Sequence, residues 1–174
     1  MIIRSSLSAR ALSITALVAV FALLPQASAQ ETLEARSDVN LMALAKPCVD
    51  SSRNKSREEV CGHVNKERTG RKVGGIRLDS QLSRVAQAFA EDMHRRGYFS
   101  HESPSGSTMS SRLKNAGVEY GWAGENIARG QDDSQEVVED WMNSSGHRRN
   151  ILNSKFNKLG VGRAGSIWVQ IFTD

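Results

Sequence analysis

One segment of the chain restricts the fold more than any other. Between Asp79 and Gly97, apolar residues recur at intervals of three and four positions, which places them on one face of an α-helix. They are Leu82, Val85, Ala86, Phe89, Ala90 and Met93. Asp79 is a suitable N-cap, and Gly97 suits the left-handed position that follows a helix. The chain must therefore bury one face of a helix of about five turns against another layer.

Three further helices are predicted around this one. Ser56 and Glu59 have the spacing of a capping box, which indicates that a first helix begins at Ser56 and ends before Gly70. A short helix is predicted between Thr108 and Gly117, and another is predicted to begin at Ser134.

The end of the chain is typical of strands instead. Val161, Ile167, Val169 and Ile171 are β-branched, and the turn "AGS" lies between the first and the others, which predicts a hairpin. One more short strand is predicted within residues 120–130. Helices followed by a closing hairpin favour an α+β layered domain over residues 56–174.

The N-terminus has the composition of an export signal. Two arginines precede the apolar stretch "ALSITALVAVFALL", and small residues lie at positions 27 and 29. The stretch is shorter than the roughly 20 residues that a transmembrane helix needs. We predict a signal peptide over residues 1–29, cleaved after Ala29, an N-terminal arm over residues 30–55, and a secreted or periplasmic protein that is soluble after cleavage. An uncleaved membrane anchor is the alternative.

The charge of the mature chain argues against nucleic acid as a partner. The first 29 residues contain two arginines and no acidic residue, so their removal leaves 145 residues with a formal net charge of +2. A nucleic-acid-binding surface would normally show a basic stripe. The basic stretches "RTGRK" and "RRNILNSK" are short and far apart, which favours solvated surface.

Two cysteines, Cys48 and Cys61, are present. In an exported protein, a pair of cysteines favours a disulfide, which here would fasten the arm to the first helix. Two free thiols, with Cys61 in the core, are the alternative.

Three segments combine polar chemistry with apolar neighbours: "YFSHESPSG", "GWAGENIARG" and "WMNSSGHRRNIL". They supply His101, Glu125 and His147, each expected at the end of an element or in a loop, where functional side chains concentrate. Two imidazoles and a carboxylate could hold zinc with a fourth position for water, or form a hydrogen-bonded acid–base set. Structural roles are also open: Glu125 could bind backbone N–H groups, and His147 could cap the preceding helix.

In this order, the segments resemble the CAP superfamily, which comprises cysteine-rich secretory proteins, antigen 5 and pathogenesis-related proteins and is also described as SCP-like. The bacterial branch is the more similar. The resemblance starts at "VNKERTG", passes through "LDSQLSRVAQAFAEDM" and the three segments above, and ends with "LGVG" and "WVQIF". It thus covers most of residues 56–174.

The resemblance implies a three-layer α-β-α sandwich with a surface cleft that, in some members, binds a divalent metal. By motif, the cleft residues are His101, Glu125 and His147. Many eukaryotic members have a second glutamate where this chain has Ser144, so the motif positions offer at most three metal ligands. Ser144 is expected either to hydrogen-bond to a ligand or to end a helix. Asn126 is expected to hold the loop beside Glu125, and Asn150 is expected either to be a structural cap or to line the cleft.

Two functions follow from these residues and from the resemblance. The first is a binding module whose cleft takes an extracellular lipid, a cell-wall fragment or a protein. The second is a zinc-dependent hydrolase of peptide or cell-wall amide bonds, in which His101 and His147 hold the metal and Glu125 is a third ligand or the general base. A metal-free hydrolase would have to use Ser144 or Ser145 with His147, and the chain has no GxSxG motif in its support.

Overall fold

The computed structural model describes residues 2–4, 48–50, 52 and 54–174. The helices are α1 Lys55–Thr69, α2 Ser80–Arg96, α3 Met109–Asn115, α4 Ser134–Asn143 and α5 Ser145–Ile151. The strands are β1 Ile2–Arg4, β2 Arg77–Leu78, β3 Trp122–Arg129, β4 Lys158–Ala164 and β5 Ile167–Thr173.

The strands form one sheet in the order β1-β3-β5-β4-β2. Strand β5 pairs antiparallel with both β3 and β4, and β2 pairs parallel with β4. The predicted closing hairpin is therefore confirmed, with Gly165 at a φ of 57° in its turn. The short strand β1 pairs antiparallel with the outer edge of β3, where Ile2 lies opposite Gly124.

Helices cover both faces of this sheet, and each face has its own hydrophobic core. Successive side chains of a strand point to opposite faces. In β5, Ile167, Val169 and Ile171 join the core beneath α2 and α3, whereas Trp168 and Phe172 join the core beneath α1, α4 and α5. The predicted three-layer α-β-α sandwich is confirmed.

Helix α2 lies directly on strand β4 because two glycines let the backbones approach. A Cβ atom at Gly160 would lie 2.3 Å from the carbonyl carbon of Leu82, and one at Gly162 would lie 2.3 Å from the backbone nitrogen of Gln87. The motif "LGVG" thus has a packing reason, since only glycine fits at either position.

Two of the predicted helix ends are confirmed at α2. The Asp79 carboxylate accepts a hydrogen bond from the backbone N–H of Leu82 at 2.9 Å, and Gly97 has a φ of 70°. The predicted capping box of α1 is wrong. Asn54 caps that helix by accepting from the N–H of Arg57, and the Glu59 carboxylate instead accepts from the hydroxyl of Ser134, 3.1 Å away on α4.

The expected disulfide between Cys48 and Cys61 is present, with 5.7 Å between the two Cα atoms. It joins the last part of the predicted arm to the buried face of α1. The rest of the predicted arm, and the signal peptide apart from β1, lie outside the described residues. Among the residues that the structure describes, no helix combines the length and the apolar character needed to cross a bilayer.

A buried arginine ties α1 to the segment between α5 and β4. Arg68 is 1% exposed and donates to the carbonyl oxygens of Gly74, Ile151, Asn153 and Phe156 at 2.7–3.0 Å. Burial lowers the pKa of its guanidinium to about 10, which leaves the group charged at neutral pH. Four of its N–H groups thus satisfy carbonyl oxygens of the loop after α1 and of the segment 151–156, which strand hydrogen bonds do not reach.

Candidate functional site

Glu125 is the centre of the polar cluster. It lies in the middle of β3, opposite Ile171 of β5, and is 1% exposed. Its Oε1 lies 2.8 Å from Nδ1 of His101, and its Oε2 accepts a hydrogen bond from Nη2 of Arg112 at 2.7 Å. A buried carboxylate needs such donors because an isolated charge in the interior is costly. Both oxygens of Glu125 are therefore engaged by side chains of the protein.

Arg112, which belongs to α3, was not predicted as part of this cluster. Its side chain is 10% exposed, and its guanidinium lies over the ring of Phe89, 3.4 Å from the ring centroid. Besides Glu125, it donates to the carbonyl oxygens of Ser107 and His101. One arginine thus neutralises Glu125 and fixes the loop that carries His101. The sequence signal was indirect: a buried acid requires a cation, but several arginines were available.

His101 lies in the loop after α2, as predicted, and its side chain is 40% exposed. Because an ionised carboxylate only accepts hydrogen bonds, Nδ1 of His101 is the donor to Glu125, and the neutral ring keeps Nε2 as an acceptor. The site therefore offers an acceptor nitrogen that is oriented by a buried acid.

His147 was expected at the end of an element or in a loop, but it is the third residue of the short helix α5. Its pKa is lowered from the usual value by burial and also by the proximity of His101. The structure thus places Glu125 in contact with His101, while hydrogen bonds from Asn150 to the carbonyl of Glu125 and from Asn126 to the carbonyl of His147 hold α5 against β3. Burial favours the uncharged form of the His147 imidazole.

Two asparagines fix α5 against β3. Asn126 donates to the backbone carbonyl of His147 at 3.2 Å, and Asn150 donates to the carbonyl of Glu125 at 3.1 Å and to the amide oxygen of Asn126 at 2.8 Å. Asn126 also donates to the buried side chain of Gln170. Both asparagines have structural roles, but Asn150 caps no helix here and Asn126 lies in β3, not in a loop. Their hydrogen-bonded amides explain how α5 is held against β3.

The cluster lies where the two helical layers meet at the β3 side of the sheet. Glu125 contacts α3 and the His101 loop on one face of β3, whereas the next residue, Asn126, contacts α5 on the other. This alternation is the ordinary period of a strand. Consecutive residues of β3 therefore anchor the two halves of the site.

Ser144 ends α4 and at the same time begins α5. Its N–H bonds to carbonyl groups of α4, and its carbonyl oxygen accepts from the N–H of Arg148. Its hydroxyl has no hydrogen-bond partner among the described residues. The expected role at a helix end is confirmed, and a contact between Ser144 and a ligand stays a prediction.

The donor set for a metal is smaller than the three residues predicted for it. The described part of the chain holds no group of three or more His, Cys, Asp or Glu side chains placed to bind a metal ion. Glu125 is occupied by His101 and Arg112, which leaves the two imidazoles as the donors of this cluster. A three-ligand zinc centre would require Glu125 to leave one of these partners.

Comparison with known proteins identifies the family. The family model described as "CAP: Cysteine-rich secretory protein family" matches residues 62–172, within the domain predicted for residues 56–174. The chain belongs to the CAP family. Over 117 residues it is 44% identical to YkwD of Bacillus subtilis strain 168, a match that covers 66% of this chain and 46% of YkwD. The membrane protein YlbC of the same strain is 35% identical over 117 residues, which cover 67% of this chain and 34% of YlbC. The match thus spans less than half the length of either Bacillus subtilis relative.

Solved structures support the same fold. An extracellular protein of Bacillus anthracis that contains an SCP domain superposes with a TM-score of 0.65 at 35% identity, covering 67% of this chain and 39% of that one. An outer surface protein of Borrelia burgdorferi also gives a TM-score of 0.65, at 21% identity over 72% of this chain and 96% of that one. The CAP fold of this chain is therefore found both within longer proteins and as nearly the whole of a shorter one.

Proposed function

We propose that this CAP protein is an extracellular binding module whose cleft, formed by His101, Glu125 and His147, holds a lipid, cell-wall or protein ligand. One observation carries the proposal: both oxygens of Glu125 are engaged, one by His101 and one by Arg112. The acid then orients an imidazole and is not itself free to react. Support for the compartment comes from the disulfide and from the Bacillus anthracis relative, which is described as extracellular.

The hydrogen bond between His101 and Glu125 indicates which ligand groups suit the cleft. With Nδ1 of His101 donating to Glu125, Nε2 is free to accept, and an imidazole at His147 in its uncharged form offers one donor and one acceptor. Such a site suits hydroxyl and amide N–H groups better than it suits an anion. Cell-wall fragments and protein surfaces are rich in both groups, so they fit the cleft better than the hydrocarbon part of a lipid does.

Binding to cell-wall material tests the proposal. Purified wall sacculi are sedimented with the wild-type protein, with the double variant His101→Ala, His147→Ala, and with His94→Ala, which removes an exposed histidine outside the cluster. We expect the wild type and His94→Ala to sediment and the double variant to stay in solution while it still unfolds cooperatively. Equal sedimentation of all three proteins would contradict a role for the cleft.

A second function, metal-dependent hydrolysis, is favoured by one feature. Histidines that bind metals usually donate their other ring nitrogen to a carboxylate, and His101 does this to Glu125. His101 and His147 would then hold zinc with Glu125 as the outer partner. Bound zinc would supply hydroxide at neutral pH. Calorimetry with zinc on the wild type and on His101→Ala tests this: a sharp loss of binding supports the metal site, and equal heats for both proteins reject it.

A further inference from the structure

A groove of about 610 Å³ lies beside α2, on the side of α3 and of the loop 103–107. One face of α2 forms its length through Gln81, Arg84, Val85, Ala88, Asp92 and Arg96. At 1.5 Å per helical residue, the span from Gln81 to Arg96 is about 22 Å. Neither histidine of the cleft lines this groove, and Arg112 is the one residue of the described chain that contributes to both.

The two sides of the groove differ in chemistry. Val85, Ala88, Phe89 and Ala116 make an apolar floor, while Ser103, Ser105 and Ser107 place hydroxyl groups along one wall. The hydroxyl groups of Ser103 and Ser105 bond to each other at 2.9 Å, and the buried Ser103 hydroxyl also accepts from the N–H of Ser107. The exposed Ser105 hydroxyl therefore keeps the greater capacity for a further hydrogen bond. An apolar floor beside a row of hydroxyl groups matches an extended peptide, whose side chains and backbone amides alternate in polarity.

The charges along the groove are uneven. Arg112 is paired with Glu125, and Arg96 is paired with Asp92 at 3.3 Å. Arg84 is exposed and has no hydrogen-bond or ion-pair partner among the described residues. The amides of Gln81 and Asn115 line the same end of the groove. One guanidinium is therefore available at this end, where a carboxylate would complement it.

We propose that this groove is a second binding site, which takes a short extended peptide with apolar side chains and a terminal carboxylate at Arg84. The length of about 22 Å accommodates roughly six extended residues. The volume lies within the range of about 300–1,000 Å³ that is usual for specific sites. The proposal goes beyond the cleft of His101, Glu125 and His147 and does not depend on what that cleft binds.

The test uses the full chain, labelled with ¹⁵N, and the hexapeptide N-acetyl-Ser-Ala-Leu-Ala-Leu-Asp with a free carboxyl end. We expect saturable shifts in the NMR signals of Ala88, Ser105 and Asn115. The same peptide with Asn at the end and an amidated terminus should bind about tenfold more weakly, since it lacks the charge-assisted hydrogen bond to Arg84. Absence of saturable shifts with the free-acid peptide overturns the proposal.

Variants of the chain identify the side chains that bind the peptide. Arg84→Gln should lower the affinity for the free-acid peptide about tenfold, so that this peptide no longer binds more tightly than the amidated one. The matched control Lys114→Gln removes an exposed cation of α3 that does not line the groove, and it should bind as the wild type does. Ala88→Glu, at an exposed helix position, should abolish binding by repulsion without loss of fold. Unchanged affinity in Arg84→Gln, or tighter binding of dodecanoate than of the peptide at the same signals, would show that the groove does not recognise a peptide carboxylate.

Discussion

The guanidinium of Arg112 and the carboxylate of Glu125 meet at 2.7 Å, and their side chains are only 10% and 1% exposed. This pair joins α3 to the middle of strand β3. Since the carboxylate also accepts from His101, removal of the arginine would leave a buried charge with one partner.

Substitution of Arg112 should therefore cost more than a surface ion pair is worth. We expect Arg112→Met to lower the free energy of unfolding by about 3 kcal/mol, because it leaves Glu125 buried without its cation. Urea denaturation measures this loss. Arg149→Met, at an exposed site of α5, is the control and should change little. Adding Glu125→Gln to Arg112→Met should restore part of the stability. If the double variant instead loses the sum of the two single losses in unfolding free energy, the two side chains do not stabilise each other.

Arg68 should be more important for stability than any exposed arginine. Arg68→Met leaves four carbonyl groups without their shared donor, and we expect a loss of about 3 kcal/mol or more in unfolding free energy. Arg68→Lys should recover only a fraction, since a single ammonium cannot reproduce the planar arrangement of donors. A lysine variant as stable as the wild type would contradict this explanation.

Glycine at position 160 is required by the contact between α2 and β4. We expect Gly160→Ala to destabilise the protein by about 2 kcal/mol, because the new methyl group overlaps the backbone of Leu82. Gly62→Ala is the matched control: position 62 lies in α1 with nothing within 4 Å of the added carbon, so it should gain about 1 kcal/mol of helix propensity. Thermal unfolding should give a melting temperature below that of the wild type for Gly160→Ala and above it for Gly62→Ala.

The disulfide should contribute measurably to stability. Cys48 and Cys61 are 13 positions apart, and in the chain-entropy model a loop of this size contributes about 3 kcal/mol. We expect reduction, or the double change Cys48→Ala, Cys61→Ala, to lower the unfolding free energy by roughly that amount. Identical denaturation curves before and after reduction would show that the disulfide does not stabilise the fold.

Protonation of His147 should reduce stability on the acid side of neutrality. Its folded pKa lies below the unfolded value of 6.5, so the unfolded chain binds the proton more readily, and stability falls as the pH falls through 6.5. His147→Gln should lose less unfolding free energy than the wild type between pH 7.5 and pH 5. Ser145→Ala, at the exposed neighbouring site, keeps the imidazole and should show the full wild-type loss. If His147→Gln loses as much unfolding free energy as the wild type between pH 7.5 and pH 5, protonation of His147 is not the cause of the loss.

Much of the fold could be predicted because strong local signals agreed with it. The apolar face of α2, the cap at Asp79 and the β-branched hairpin led to the correct layers. The start of α1 was predicted wrongly because Ser56 and Glu59 satisfied a capping pattern, while Asn54, two residues earlier, provides the cap. Two suitable capping residues lie within three positions, and local sequence could not decide between them.

The residues of the candidate site could be predicted only in part from the sequence. Motif resemblance supplied His101, Glu125 and His147, and their proximity could be checked only in three dimensions. Arg112 was missed because its role depends on a contact between α3 and β3, which no local spacing encodes. The helical position of His147 was missed as well, since the glycine before it suggested a turn and α5 is only seven residues long.

The shared position of Ser144 has a consequence for how relatives of this chain can vary in length. Because α4 ends where α5 begins, one residue inserted between Trp141 and His147 would rotate the imidazole by about 100° around the axis of α5. No side-chain replacement elsewhere could compensate for that rotation. Insertions and deletions among homologous sequences should therefore be absent from this junction and should accumulate in loops that carry no cleft residue, such as the one between α1 and β2.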